Sequence, residues 1–195
     1  GTASSQNLGR RGAWYGACAG RAAWDDRAMS VPVDRAQQRA LTAWAAACAE
    51  HVLPLFEACA PGDTRPRQAL AACRRWIDSG VFRMTEIRAA SLAAHAAART
   101  QPEHSAARNA ARAAGQAVAT AHVPLHALGA AWYGLKAAGA AGREGDPGSE
   151  RAEAFTRELR AGGEARSIHA WLELLIESEH PGAALVMEIR RGGAL

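Results

Sequence analysis

Long apolar runs are missing from this chain. Nowhere do apolar residues continue for the roughly 18 positions that a membrane-spanning helix needs, and no basic-then-apolar signal-peptide order opens the sequence. Membrane association is therefore not expected, and a soluble cytoplasmic protein is. Aromatic residues make up only 6% of the chain. Cys18, Cys48, Cys59 and Cys73 show no C-x-x-C spacing, which argues against a zinc knuckle or redox dithiol and for free thiols in a reducing cytoplasm. Period-two alternation of apolar and polar residues is also absent, so no sheet is expected. With no strand followed by a glycine-rich phosphate loop and no H-E-x-x-H, neither a nucleotide cofactor nor a catalytic metal is implied.

What is present is alanine and arginine. The chain has 195 residues, 49% of them apolar, enough for one domain to bury a core without disulfides. All but Lys136 of the 23 basic residues are arginine, a bias expected of a high-GC bacterial genome. Net charge is +4, unevenly spread: residues 1–142 hold 16 Lys/Arg against 9 Asp/Glu, and residues 143–195 hold 7 against 10. An arginine-rich solvated surface explains this, and an acidic partner is the sharper alternative. Nucleic acid is not expected, because arginines and aromatics are not interleaved and no reader motif occurs.

Apolar spacings of three and four predict an all-α fold, a multi-helix bundle or irregular antiparallel array. The first helix spans about 34–60, with Leu41, Trp44, Cys48, Val52, Leu55 and Phe56 inward and Pro54 as an expected kink. Asp63 or Thr64 can cap a second helix that Gly80 ends, with Leu70, Cys73 and Trp76 buried; a third spans about 83–99 with His95 on its apolar stripe. Residues 103–140 read as one long alanine-rich helical region kinked at Pro124. Gly142 to Gly148 reads as a linker, followed by helices over 149–160 and 164–179, and the last dozen residues fit either a helical turn or a strand. Three segments result: an extension (1–33), a helical domain (34–142) and a C-terminal helical segment (143–195) expected to pack on it. Met29 fits an authentic start, which would make residues 1–28 upstream or appended sequence.

Histidines on inward faces are the main chemical hint, because a buried basic group needs a partner. His122 and His126 have the i, i+4 spacing that places two rings on one helical face, and His95 can join them from a neighbouring helix. Glu50, Arg65, Arg99 and Tyr133 complete a candidate pocket. Buried histidines more often satisfy backbone carbonyls in a small-residue core than bind ligands, and no metal is expected here. Arg74 and Asp78, four apart, are expected to pair. Trp44 and Trp76 read as core residues between the first two helices. The residues specify no reaction.

Asp34-Arg35, then Leu41-x-x-Trp44-x-x-x-Cys48-Ala49-Glu50-x-Val52-Leu53-x-Leu55-Phe56-Glu57, then Asp63-x-Arg65-Pro66-Arg67, resemble the bacterial immunity-five-like family of immunity proteins. So do Ala93-Ala94-His95-Ala96-Ala97-Ala98-Arg99 and Ala119-Thr120-Ala121-His122-Val123-x-x-His126-Ala127-Leu128-Gly129-Ala130. The ordered match covers residues 34–137. It implies an all-helical antitoxin of a polymorphic toxin system that binds and blocks a cognate toxin, with Asp34, Arg35, Glu57 and Arg67 as candidate partner-binding residues. The alternative is a small-molecule-binding protein or enzyme of a specialised-metabolite or self-resistance pathway that uses the His/Arg-lined site. Oligomeric state is not encoded in any pattern found.

Overall fold

The structure, a computed structural model, describes residues 33–143, 157, 166–178, 180 and 182–191. Among these residues there are seven helices and no strand: α1 (Arg35–Cys59), α2 (Arg65–Ser79), α3 (Met84–Arg99), α4 (Ala106–Ala119), α5 (His126–Arg143), α6 (Arg166–Glu177) and α7 (Ala183–Arg191). The fold is all-α, as the spacings imply. The expected helix over 149–160, apart from Arg157, the linker beyond residue 143, Cys18 and all expectations for residues 1–32 fall outside the described residues.

α4 is the axis of the domain. It packs against α1, α2, α3 and α5, and all its residues except Arg108 and Arg112 are buried. A helix can be surrounded this closely only if its side chains are short, and Ala106, Ala107, Ala110, Ala111, Ala113, Ala114 and Ala117 meet that need. Larger groups come from its neighbours. α1 contributes Leu41, Trp44, Val52, Leu55 and Phe56, and α2 contributes Leu70 and Trp76. The buried indole N–H groups of Trp44 and Trp76 find no hydrogen-bond acceptor among the described residues. Each such omission costs about 1–3 kcal/mol, which the burial of the ring has to outweigh.

α1 starts with a capping box: Asp34 Oδ1 accepts from the Gln37 N–H (2.7 Å) and Gln37 Oε1 accepts from the Asp34 N–H (2.9 Å). It continues through Pro54 to Cys59 as one helix. Its first turns also serve other helices. Neither α2 nor α4 has a basic residue in its last turn, so their terminal carbonyls need outside donors. Arg39 donates to the Ile77 carbonyl and Arg35 to that of Gly80 (3.3 Å). Gln38 donates to the carbonyls of Thr120 (3.3 Å) and Ala121 (3.0 Å). Gly80, at φ 69°, supplies the left-handed residue that closes α2.

The region 103–140 is not one kinked helix. α4 ends at Ala119, and α5 begins only at His126. Pro124 has no N–H to continue a helix and disfavours helical geometry at Val123, so the chain turns here instead of bending. The C-terminal ambiguity resolves as a helix: Val186 and Ile189 are buried at a helical spacing on α7, which packs on α5 and α6. α6 buries Ile168, Trp171, Leu172 and Leu175, and also touches α1.

Cys48 and Cys73 are buried, but Cys59, expected on the apolar face, is exposed at the end of α1. Burial pushes the Cys73 thiol up to about 12, leaving almost no thiolate at neutral pH. Maleimide labelling of the native protein should therefore modify Cys59 while sparing Cys73 until denaturant is added. Peptide mass mapping that finds Cys73 labelled at the native rate of Cys59 would contradict this burial.

Candidate functional site

The three histidines do come together, from three different elements. His95 lies on α3, His122 in the turn after α4, and His126 is the first residue of α5. The His122 and His126 rings stand 5.3 Å apart, tilted by 43°. The i, i+4 expectation thus finds the right neighbours for a different reason, since the turn at Pro124 brings them together and no shared helix does. All three are half-buried. Burial holds His126 down to about 3, reinforced by His122 and His95, and holds His95 down to about 4, reinforced by Arg112 and Arg99. Burial also lowers His122, with Arg88 adding to the effect and the Ala119 carbonyl opposing it. All three rings are neutral at pH 7.

One hydrogen bond sets the tautomer of His126. Its Nδ1–H donates to Gln116 Oε1 at 2.6 Å, leaving Nε2 unprotonated. Gln116 is itself buried on α4. His122 Nδ1 is buried without a hydrogen bond of good geometry. At the two helical positions beneath these groups stand glycines. A Cβ at Gly115 would lie 2.9 Å from His95 Nε2, and one at Gly129 would lie 2.8 Å from Gln116 Oε1. Glycine inside a helix is less favourable than alanine by about 1 kcal/mol, so both positions give up helix propensity to seat a polar side chain. Ser91 Oγ donates to the Gly115 carbonyl (3.0 Å), holding α3 against α4 at the same level.

Tyr133 belongs to this neighbourhood: the Arg112 guanidinium lies 5.4 Å from its ring centre. Arg99 acts on His95 from one turn further along α3. Glu50 and Arg65 are engaged elsewhere. Glu50 takes both its oxygens to Arg74 on α2, the Nε contact being 2.8 Å. This replaces the expected Arg74–Asp78 pair, because the antiparallel packing of α1 and α2 brings a closer carboxylate. Arg65 pairs with Asp63 in the preceding turn (2.8 Å), and its guanidinium holds the Asp63 carboxyl below its ordinary range.

The candidate partner-binding residues divide between two ends of the α1–α2 pair. Glu57 and Arg67 form a bidentate pair, both contacts 2.6 Å, at the end where α1 stops. Asp34 and Arg35 lie at the other end, one capping α1 and the other capping α2. Ion pairs this exposed contribute little to stability.

Arg88, Arg112 and Gln116 escaped the sequence reading as members of the histidine neighbourhood. An arginine at i−3 from a buried glycine on an alanine helix was the available signal for Arg112. An exposed apolar corner escaped it as well: Val81, Phe82, Met84 and Leu92 are 57%, 38%, 43% and 64% exposed. Met84, Arg88 and Leu92 follow one another at i, i+4 along α3, and Val81 and Phe82 lead into it. Among the described residues, no group of three His, Cys, Asp or Glu is placed to hold a metal, and no helix is long and apolar enough to cross a membrane.

A family model described as "Imm-5 like putative immunity protein" matches residues 32–161. No curated protein and no solved structure matches the chain.

Proposed function

Given that the chain belongs to the Imm-5-like immunity protein family, we propose that it binds a cognate bacterial protein toxin and neutralises it in the cell that makes it. The observation that carries this reading is the extent of the family match, which takes in α1 to α5 whole. Occlusion by a rigid surface needs no reacting group, consistent with a chain whose residues specify no reaction. Co-expression with a cognate toxin domain should restore growth to cells that the toxin alone arrests. Neither rescue nor a complex in vitro would count against the reading.

The contact face we favour is the corner where α2 passes into α3. Large apolar side chains left in water next to one another mark binding surfaces, and Val81, Phe82 and Met84 are such a group. Arg88 flanks them without a salt bridge among the described residues, Arg83 flanks them close enough to act on Glu86, and Arg35 reaches the same corner through Gly80. An apolar anchor ringed by arginines suits a toxin surface that is acidic around an apolar hollow. Phe82→Asp should weaken toxin binding by about ten- to a hundredfold, the range of a hot-spot anchor, with the thermal midpoint unchanged. The Glu57–Arg67 end lies about 18 Å away along α2, at 1.5 Å per residue. Isothermal titration with Arg67→Glu decides between the ends: loss there, with Phe82→Asp binding normally, would move the contact to Glu57 and Arg67.

A further inference from the structure

We propose that the cluster of His95, His122 and His126, with Arg99 and Arg112 beside it, binds the phosphate or carboxylate group of a small ligand. This goes beyond toxin binding and does not depend on it.

Charge is distributed unevenly over the domain. Along α2 every arginine has a carboxylate partner: Arg65 with Asp63, Arg67 with Glu57, Arg74 with Glu50 and Arg75 with Glu86. Around the histidines this stops. Arg88, Arg99 and Arg112 have no carboxylate partner among the described residues, and no acidic side chain acts on any of the three rings. The groups facing the cluster are Arg88 and Arg99 from α3, Arg112 and Gln116 from α4, and Tyr133 from α5. Every charge among them is positive. Arg112 is half-buried and so less screened than the exposed Arg88 and Arg99, and an anion entering here meets a field that the protein itself leaves uncompensated.

The geometry is also arranged to be retained. Gly115 and Gly129 make room for the His95 ring and the Gln116 amide, and Gln116 fixes His126 with its Nε2 bare. Tyr133 carries the Arg112 guanidinium on its ring face. The buried Nδ1 of His122 has no protein partner of good geometry. A bound anion would supply the missing negative charge, and His126 Nε2 would then take up a proton from solvent and become a donor to the anion. Binding is therefore linked to proton uptake.

The test is a titration of the full chain with inorganic phosphate and, separately, with acetate, at constant ionic strength. The histidine ring CH resonances are followed by NMR at pH 7.5 and pH 6. The expected result is saturable movement of His95, His122 and His126 together, with affinity at least threefold tighter at pH 6. Phosphate stronger than acetate assigns a phosphorylated ligand, and the reverse assigns a carboxylate. Arg112→Gln should weaken binding at least tenfold, while Arg67→Gln, paired elsewhere, leaves it unchanged. If Arg112→Gln does not fold, Arg99→Gln, at an exposed position, takes its place. Non-saturating shifts, shifts equal for chloride, or binding unaffected by either arginine variant would overturn the proposal.

Discussion

Between pH 7 and pH 5 the domain should lose about 4 kcal/mol of stability, about 2 kcal/mol for each of His95 and His126. Unfolded, both rings take up a proton near pH 6.5. Folded, burial holds them down to about 4 and about 3. The unfolded chain therefore binds more protons than the native one throughout this window, and native stability falls as pH falls. His122, lowered as well, acts in the same direction. The carboxylates with depressed ordinary values, Asp63, Glu86 and Glu173, behave otherwise. Their contribution is complete above the unfolded carboxylate range and is lost only at lower pH, so they are silent between pH 7 and pH 5. Urea midpoints at half-unit pH steps measure the slope, and His95→Met should remove close to half of it. A midpoint independent of pH across this range would mean that the rings are solvated.

Phe56→Ala should cost about 3–5 kcal/mol, towards the upper part of that range. Phe56 is fully buried on α1, and α1 packs broadly on α4. The cost of a lost ring depends on how far the surroundings collapse into the space. Leucine or methionine neighbours can change rotamer, whereas alanine has none to change, and the α4 surface against which α1 packs is largely alanine. Phe56→Leu, which keeps most of the volume, should lose about 1 kcal/mol. The readout is the urea midpoint at an unchanged denaturant slope. Equal losses for the two variants would show that the site relaxes freely.

The helices were legible because their punctuation is local. Asp34 with Gln37, Pro66 in a first turn and Gly80 after Trp76 each define an end through chemistry within four residues. The histidine neighbourhood was legible only in part. His95, His122 and His126 stood out as basic residues at inward positions, but their meeting depends on the turn at Pro124, and helical periodicity misassigned its cause. Glu50 and Arg65 looked equally suited to the cluster, yet the antiparallel register of α1 and α2 gave Glu50 to Arg74. Pairing across helices depends on register, which a single chain's spacing does not carry. The exposed corner at Val81 and Phe82 was hidden for the opposite reason: apolar residues next to a helix start read as core until the neighbours that would cover them are found missing.

The smoothness of α4 decides how sharply the native state is defined. A rod of alanine presents no ridges for α1, α3 and α5 to lock into, so dispersion alone would let it rotate or slide at little cost. Its registry is set by a few directional contacts: Gln116 to His126, the Gly115 carbonyl to Ser91, and the carbonyls just past its end to Gln38. Removing these bonds together should leave the helix content intact while dissolving the single arrangement, giving a compact domain with broadened side-chain resonances and a shallow thermal transition.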